Sequence, residues 1–143
     1  DLVPDQPPVF PVGRLDKDSR GLIILTNDGQ LAQQLMHPSF EHEKEYHVTL
    51  REPLTNEQLE QLEQGVRLDE GIVLFDKIVE HDANIYAVII HQGLNRQIRR
   101  MFGHVGADVI DLQRIRIGNV TLGGLPEGKS IQMDGYKIKK LIK

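Results

Sequence analysis

The stretch IVLFDKIVEHDANIYAVIIH, residues 72–91, decides the architecture. Its β-branched and aromatic residues fall in two runs, 72–80 and 84–91, on either side of the turn-forming triplet Asp82-Ala83-Asn84. Upstream, Tyr46, Val48 and Leu50 alternate with His47, Thr49 and Arg51 at the period of a half-buried strand. Downstream, Ile110, Leu112, Ile115 and Ile117 predict a long twisted or bulged strand, with short strands near 120–122 and at 130–133. Gly21 opens the apolar run Leu22 to Thr26, a buried strand ended by Asn27-Asp28-Gly29. Helices are expected at 29–37 (Asp28 as cap, Pro38 as stop), 56–64 (Thr55 and Gly65 as its ends), 96–104 (capped by Asn95) and 135–142. The proline-rich residues 1–11 read as a turn or linker and residues 123–128 as a loop. Strands outnumber helices and few connections resemble parallel crossovers. The expected fold is therefore α+β, a mainly antiparallel mixed central sheet with flanking helices.

The 143 residues are 39% hydrophobic and 27% charged, enough for one compact domain. The chain holds no cysteine, which excludes disulfides, thiolate catalysis and thiolate metal sites. No apolar run approaches about 18 residues and no basic-then-apolar leader is visible, so a cytoplasmic protein without a membrane partner is expected. The net charge of −4 conceals a division. Residues 1–93 carry seven Lys or Arg against seventeen Asp or Glu, and residues 94–143 carry ten against four. A local basic field of this kind suits a polyanion, although one fold also brings the two halves together. The six histidines lack metal-ligand spacing, and neither a Walker loop nor a dinucleotide fingerprint occurs, so no metal and no cofactor are expected.

Chemically, the densest segment is GRLDKDSRG, residues 13–21, which sets carboxylates and guanidinium groups between glycines just before a buried strand. Such a loop can be an ordinary Asp turn with surface charges, or it can hold Asp16 in a cleft as nucleophile or base. Arg96, Arg99 and Arg100 lie on one helix with Ile98, Met101 and Phe102, the apolar residues facing inward. Arg96 and Arg100 suit either a solvated face or phosphate contact. Arg114 and Arg116 alternate with Ile115 and Ile117 and are expected to share a face turned to a polyanion or solvent. The lysines at 137, 139, 140 and 143 read as a solubilising face.

GRLDKDSRGLIILTNDG, residues 13–29, resembles the signature of the RsuA-type pseudouridine synthases. HEKEYHV, residues 42–48, is similar to that family's Lys-x-Tyr segment, and NRQIRRMF, residues 95–102, to its third motif. Residues 114–120 and 125–128 resemble its closing segment, so the likeness runs from about residue 9 to the end of the chain. Within the family, Lys17-Asp18-Ser19 and the segments at 42–46 and 92–97 are most similar to the F type of the synthases that act on large ribosomal subunits. The resemblance implies a single catalytic domain over residues 1–143, without the S4-like RNA-binding module and first strand that usually precede it in relatives. It implies Asp16 as the essential catalytic residue, Tyr46 packed on the target base, and Arg99 paired with Asp16. Arg14, Arg96, Arg100, Arg114 and Arg116 become candidate RNA contacts. Where many relatives have Glu-Gly-Arg, this chain has Gln92-Gly93-Leu94, which removes one candidate contact. Asp18 is then a loop or cap residue rather than half of a glycosidase-like pair.

The implied reaction breaks the N1–C1′ bond of a uridine, turns the base and rejoins it through C5. Its atoms balance without a co-reactant. A carboxylate can attack C1′ or remove the 2′ proton, and the sequence leaves both routes open. The target nucleotide must be turned out of its stack for the base to rotate. The expected substrate is 23S ribosomal RNA, with tRNA second, acted on by a monomer that needs no obligate protein partner. A non-catalytic RNA-binding or ribosome-assembly module and a carboxylate-dependent nucleoside hydrolase are the alternatives.

Overall fold

In the computed structural model, which describes residues 10–12, 15–36, 42–123 and 125, the chain opens with β1 (Phe10–Val12), β2 (Arg20–Gly21), β3 (Ile24–Thr26) and α1 (Gly29–Met36). It continues through β4 (Lys44–Leu50), α2 (Asn56–Gln64), β5 (Val66–Leu68), β6 (Gly71–Val73), β7 (Lys77–Asp82) and β8 (Ile85–Ile90). The last described elements are α3 (Gln97–His104), β9 (Val109–Ile117) and β10 (Val120–Thr121). The main sheet runs β10-β9-β4-β8-β7, all antiparallel, and β2 joins the outer edge of β9 as a parallel strand. Two small antiparallel pairs, β1 with β3 and β5 with β6, stand beside it. The fold is α+β as expected.

β4 is the centre, and its period of two sorts the molecule. Val48 and Leu50 are fully buried, and with Val88 and Leu112 they form a floor for Leu62 of α2 and Ile98, Met101 and Phe102 of α3. A second cluster joins Leu22, Ile24 and Leu31 to Ile117 and Val120, packing α1 and β3 against the β9–β10 hairpin. Helix ends follow their local chemistry. Thr55 and Gln58 cap each other's backbone in a capping box, Gly65 ends α2 at φ 107°, and the Asp28 carboxylate takes the Leu31 N–H at 3.1 Å.

Several expectations need correction. Residues 10–12 are a strand rather than linker. Pro11 sits opposite Leu25 in a two-stranded pair, where a residue without an N–H is tolerated. The run at 72–80 breaks between β6 and β7 because Phe75 turns inward onto Phe102, with ring centroids 5.5 Å apart. β5, only three residues long, has no counterpart among the expected elements. α3 starts not from an Asn95 cap but from Arg96, which adopts the left-handed conformation at φ 47°. The strand and helix expected at 130–133 and 135–142 lie outside the described residues, as does the lysine face. No described helix is long and apolar enough to cross a membrane.

Candidate active site

The segment before β2 is a tight turn, with the Ser19 N–H donating to the Asp16 carbonyl at 3.0 Å. Both ends of the turn are fastened. Asp18 receives the Arg96 fork, Nη1 on Oδ1 at 2.9 Å and Nη2 on Oδ2 at 3.0 Å. Arg99 donates from Nη2 to the Asp18 carbonyl at 2.7 Å, with its Nε 3.5 Å from Oδ1. The fork on Arg96 is the main reason the Asp18 carboxyl is held down at about 2. Two residues on, Arg20 grips Asp111 of β9 through Nε and Nη2, lowering that carboxyl too.

β9 completes the second fastening through the backbone. Gly21 lies opposite Arg114 at φ 126°, and a side chain there would run into the Arg114 backbone, so only glycine fits. The next residue, Leu22, donates its N–H to the Arg114 carbonyl and accepts the Arg114 Nε–H on its own carbonyl, both at 2.8 Å.

Asp16 projects half-buried from this clamped turn. Its charge raises the Arg96 pKa slightly further, after Asp18 has done most of that work, so the carboxylate lies within reach of the arginine's field. Among the described residues no hydrogen bond or ion pair engages it. The expected Asp16–Arg99 pair is therefore corrected. Arg99 holds Asp18, which stands two residues further along and closer to the start of α3. Asp18 is the residue the sequence reading undervalued, and spacing alone offers no means of choosing between the two carboxylates.

Tyr46 shares the buried face of β4 with Val48 and is itself half-buried, packed on the edge of the larger core. Across β9 it faces Arg114, and Arg114 faces Gly21. Tyr46, Arg114 and the end of the Asp16 turn thus form one row over three strands, roughly 10 Å across. The turn, the start of α3 and this row make up a single site.

The candidate RNA contacts divide. Arg96 is committed to Asp18, and Arg100 places its fork on Glu70 at 2.8 Å while its Nε bonds the Asn95 carbonyl. Arg114 and Arg116 do not share a face. The register passes from Glu45 opposite Arg116 to Tyr46 opposite Arg114, leaving Ile115 as a bulge residue that turns the two arginines to opposite sides. Arg114 is only 4% exposed, on the face of Tyr46. Arg116 points to the other face and is taken up by Glu45, Glu43 and the Gly118 carbonyl. Arg14 lies outside the described residues. Among the described residues, Arg96, Arg99, Arg100 and Arg116 of the basic half are all paired with acids of the acidic half.

Among the described residues, the turn, α3 and β9 each carry buried polar atoms without a hydrogen-bond partner: Ser19 Oγ, Gln97 Oε1 and Arg99 Nε, and Arg114 Nη2. Such atoms cost free energy while unpartnered, and polar groups of a ligand would satisfy them. Among the described residues no three His, Asp or Glu side chains are placed to hold a metal ion.

Residues 2–104 match the family model described as RNA pseudouridylate synthase. The dual-specificity RNA pseudouridine synthase RluF of Escherichia coli (strain K12) is 43% identical over 129 residues, 90% of this chain and 44% of that protein. The ribosomal large subunit pseudouridine synthase B of Bacillus subtilis (strain 168) is 38% identical over 141 residues, 93% of this chain and 57% of that protein. A solved structure, "Crystal structure of pseudouridylate synthase", superposes with a TM-score of 0.84 at 32% identity, covering 94% of this chain and 60% of that one. This chain thus spans about half the length of the curated relatives it matches.

Proposed function

We propose, from the premise that the chain belongs to the RNA pseudouridylate synthase family, that it isomerises a specific uridine to pseudouridine in a structured RNA. One observation carries the reading: Asp16 is a half-buried carboxylate, unengaged among the described residues, on a turn pinned at Asp18 and at Gly21. Fixing a reactive group through its neighbours leaves its own atoms available to substrate. Asp16 acts on the ribose of a turned-out uridine, either at C1′ or at the 2′ proton. The ring of Tyr46 offers a stacking surface to the base while it rotates. Arg99 is a positioning residue, acting through the Asp18 carbonyl. Arg96 shares the clamp at Asp18 and lends a cationic field to Asp16.

The relatives' names, a dual-specificity RNA synthase and a ribosomal large subunit synthase, support RNA of the large ribosomal subunit. The substrate proposed here is 23S ribosomal RNA first and tRNA second. Motif order and the F-type residues at 17–19 and 42–46 support the RsuA-type branch of the family. The test is to incubate the protein with total RNA from a strain lacking the modification and to map pseudouridine. Discrete new sites with the wild type, and none with Asp16→Asn, are expected. Free uracil in place of isomerised chain would make it a hydrolase, and RNA binding that survives with no product from the full-length protein would make it a binding module.

A further inference from the structure

Lys44 and Tyr46 sit two residues apart on one face of β4, and Arg114 lies opposite Tyr46 on that same face. The alternation of β4 separates this face from the acids, and the Ile115 bulge takes Arg116 to their side. Glu43 and Glu45, which flank Lys44 in sequence, both bond Arg116 on the other side of the sheet. Among the described residues no carboxylate bonds Lys44 or Arg114, and Arg114 Nη2 is buried with no partner while Nε is spent on the Leu22 carbonyl. Burial, and after it the nearby charge of Arg114, hold the Lys44 ammonium below the usual lysine range. Two cations of like sign, one buried and one half-buried, oppose folding unless an anion arrives.

We propose that Lys44 and Arg114 form an anion site beside Tyr46 that takes a phosphate of the target nucleotide. The proposal rests on the reading that this site receives an RNA nucleotide. A planar fork with a free Nη2 and a compact ammonium next to it suit a phosphate oxygen pair. The adjoining tyrosine offers a stacking surface to the base of the nucleotide whose phosphate is anchored here. With its phosphate held here, the ribose of that nucleotide stays in register with the turn that carries Asp16.

The test needs no turnover. Uridine, uridine 5′-monophosphate, uridine 3′-monophosphate and inorganic phosphate are titrated into the protein by NMR. One of the two monophosphates is expected to bind at least about tenfold more tightly than uridine, and inorganic phosphate to compete with it. Lys44→Met keeps the apolar stem and should bring that preference to within about twofold while leaving uridine binding unchanged. Lys44→Arg should restore it. Equal binding of monophosphate and uridine by the wild type, or a preference that survives Lys44→Met, overturns the site. Nucleotide binding of the expected kind without any pseudouridine formation would overturn the isomerase reading and leave the anion site standing. Full turnover by Lys44→Met with an unchanged KM for RNA would do the reverse.

Discussion

The turn that carries Asp16 is fastened to two places by different physics. On the β9 side the fastening is chiefly buried packing on main chain: Gly21 packs on the Arg114 backbone and Leu22 bonds both its carbonyl and its Nε, with the exposed Arg20–Asp111 ion pair alongside. On the α3 side it is side chain and charge, with half-exposed Asp18 and Arg96 sharing a fork and Arg99 reaching a carbonyl. Buried backbone packing is insensitive to pH and costly to disturb. Exposed ion pairs add little stability but fix a geometry. The contrast separates what keeps the turn folded from what aims it.

The largest effect is expected at Gly21. A methyl there meets the Arg114 carbonyl oxygen and nitrogen, backbone atoms that cannot swing aside, at a φ of 126° that other residues avoid. Gly21→Ala should cost more than ~3 kcal/mol, read as a lowered denaturation midpoint at constant slope. A loss under ~1 kcal/mol would mean that β2 is not held to β9 in this way.

Arg99 tests the other fastening. Its Nη2 bond to the Asp18 carbonyl aims the turn while Ile98, Met101 and Phe102 carry the packing of α3. Arg99→Met should lower kcat at least about tenfold with KM for RNA within about twofold, the signature of an interaction that matters to the chemical step. A raised KM with normal kcat would assign Arg99 to RNA binding instead.

This division of labour was only half legible in the sequence. α2 could be read residue by residue, because Thr55, Gln58 and Gly65 act within their own turn. The β7–β8 hairpin and the alternation of β4 were equally local. The bulge at Ile115 was not, since it is set by which β4 residue each arginine of β9 meets, and it alone decides that Arg114 is buried and Arg116 is not. Likewise no local signal makes Arg96 left-handed, and its fork closes on a carboxylate 78 positions away. Lys44 stands in the sequence only as the first residue of the Lys-x-Tyr segment, and its place near a buried arginine follows from the register of β4 on β9.

The smallest effect, and the one that isolates the α3 fastening most cleanly, is the titration of Asp18. Its folded value of about 2 lies below the ordinary 3.8, chiefly because the Arg96 fork favours the ionised form. A depressed carboxyl contributes stability above pH 3.8, and that contribution fades as pH falls through about 2. Protonation releases the Arg96 fork and weakens the Arg99 Nε contact with the carboxylate. The Arg99 Nη2 bond is to a carbonyl and persists, so the α3 fastening should loosen without opening. The 13C shift of the Asp18 carboxyl should titrate near 2 in the wild type and move up toward 3.8 in Arg96→Met. If the wild type already titrates in the ordinary carboxylate range, the fork does not form in solution, and Arg99 alone aims the turn.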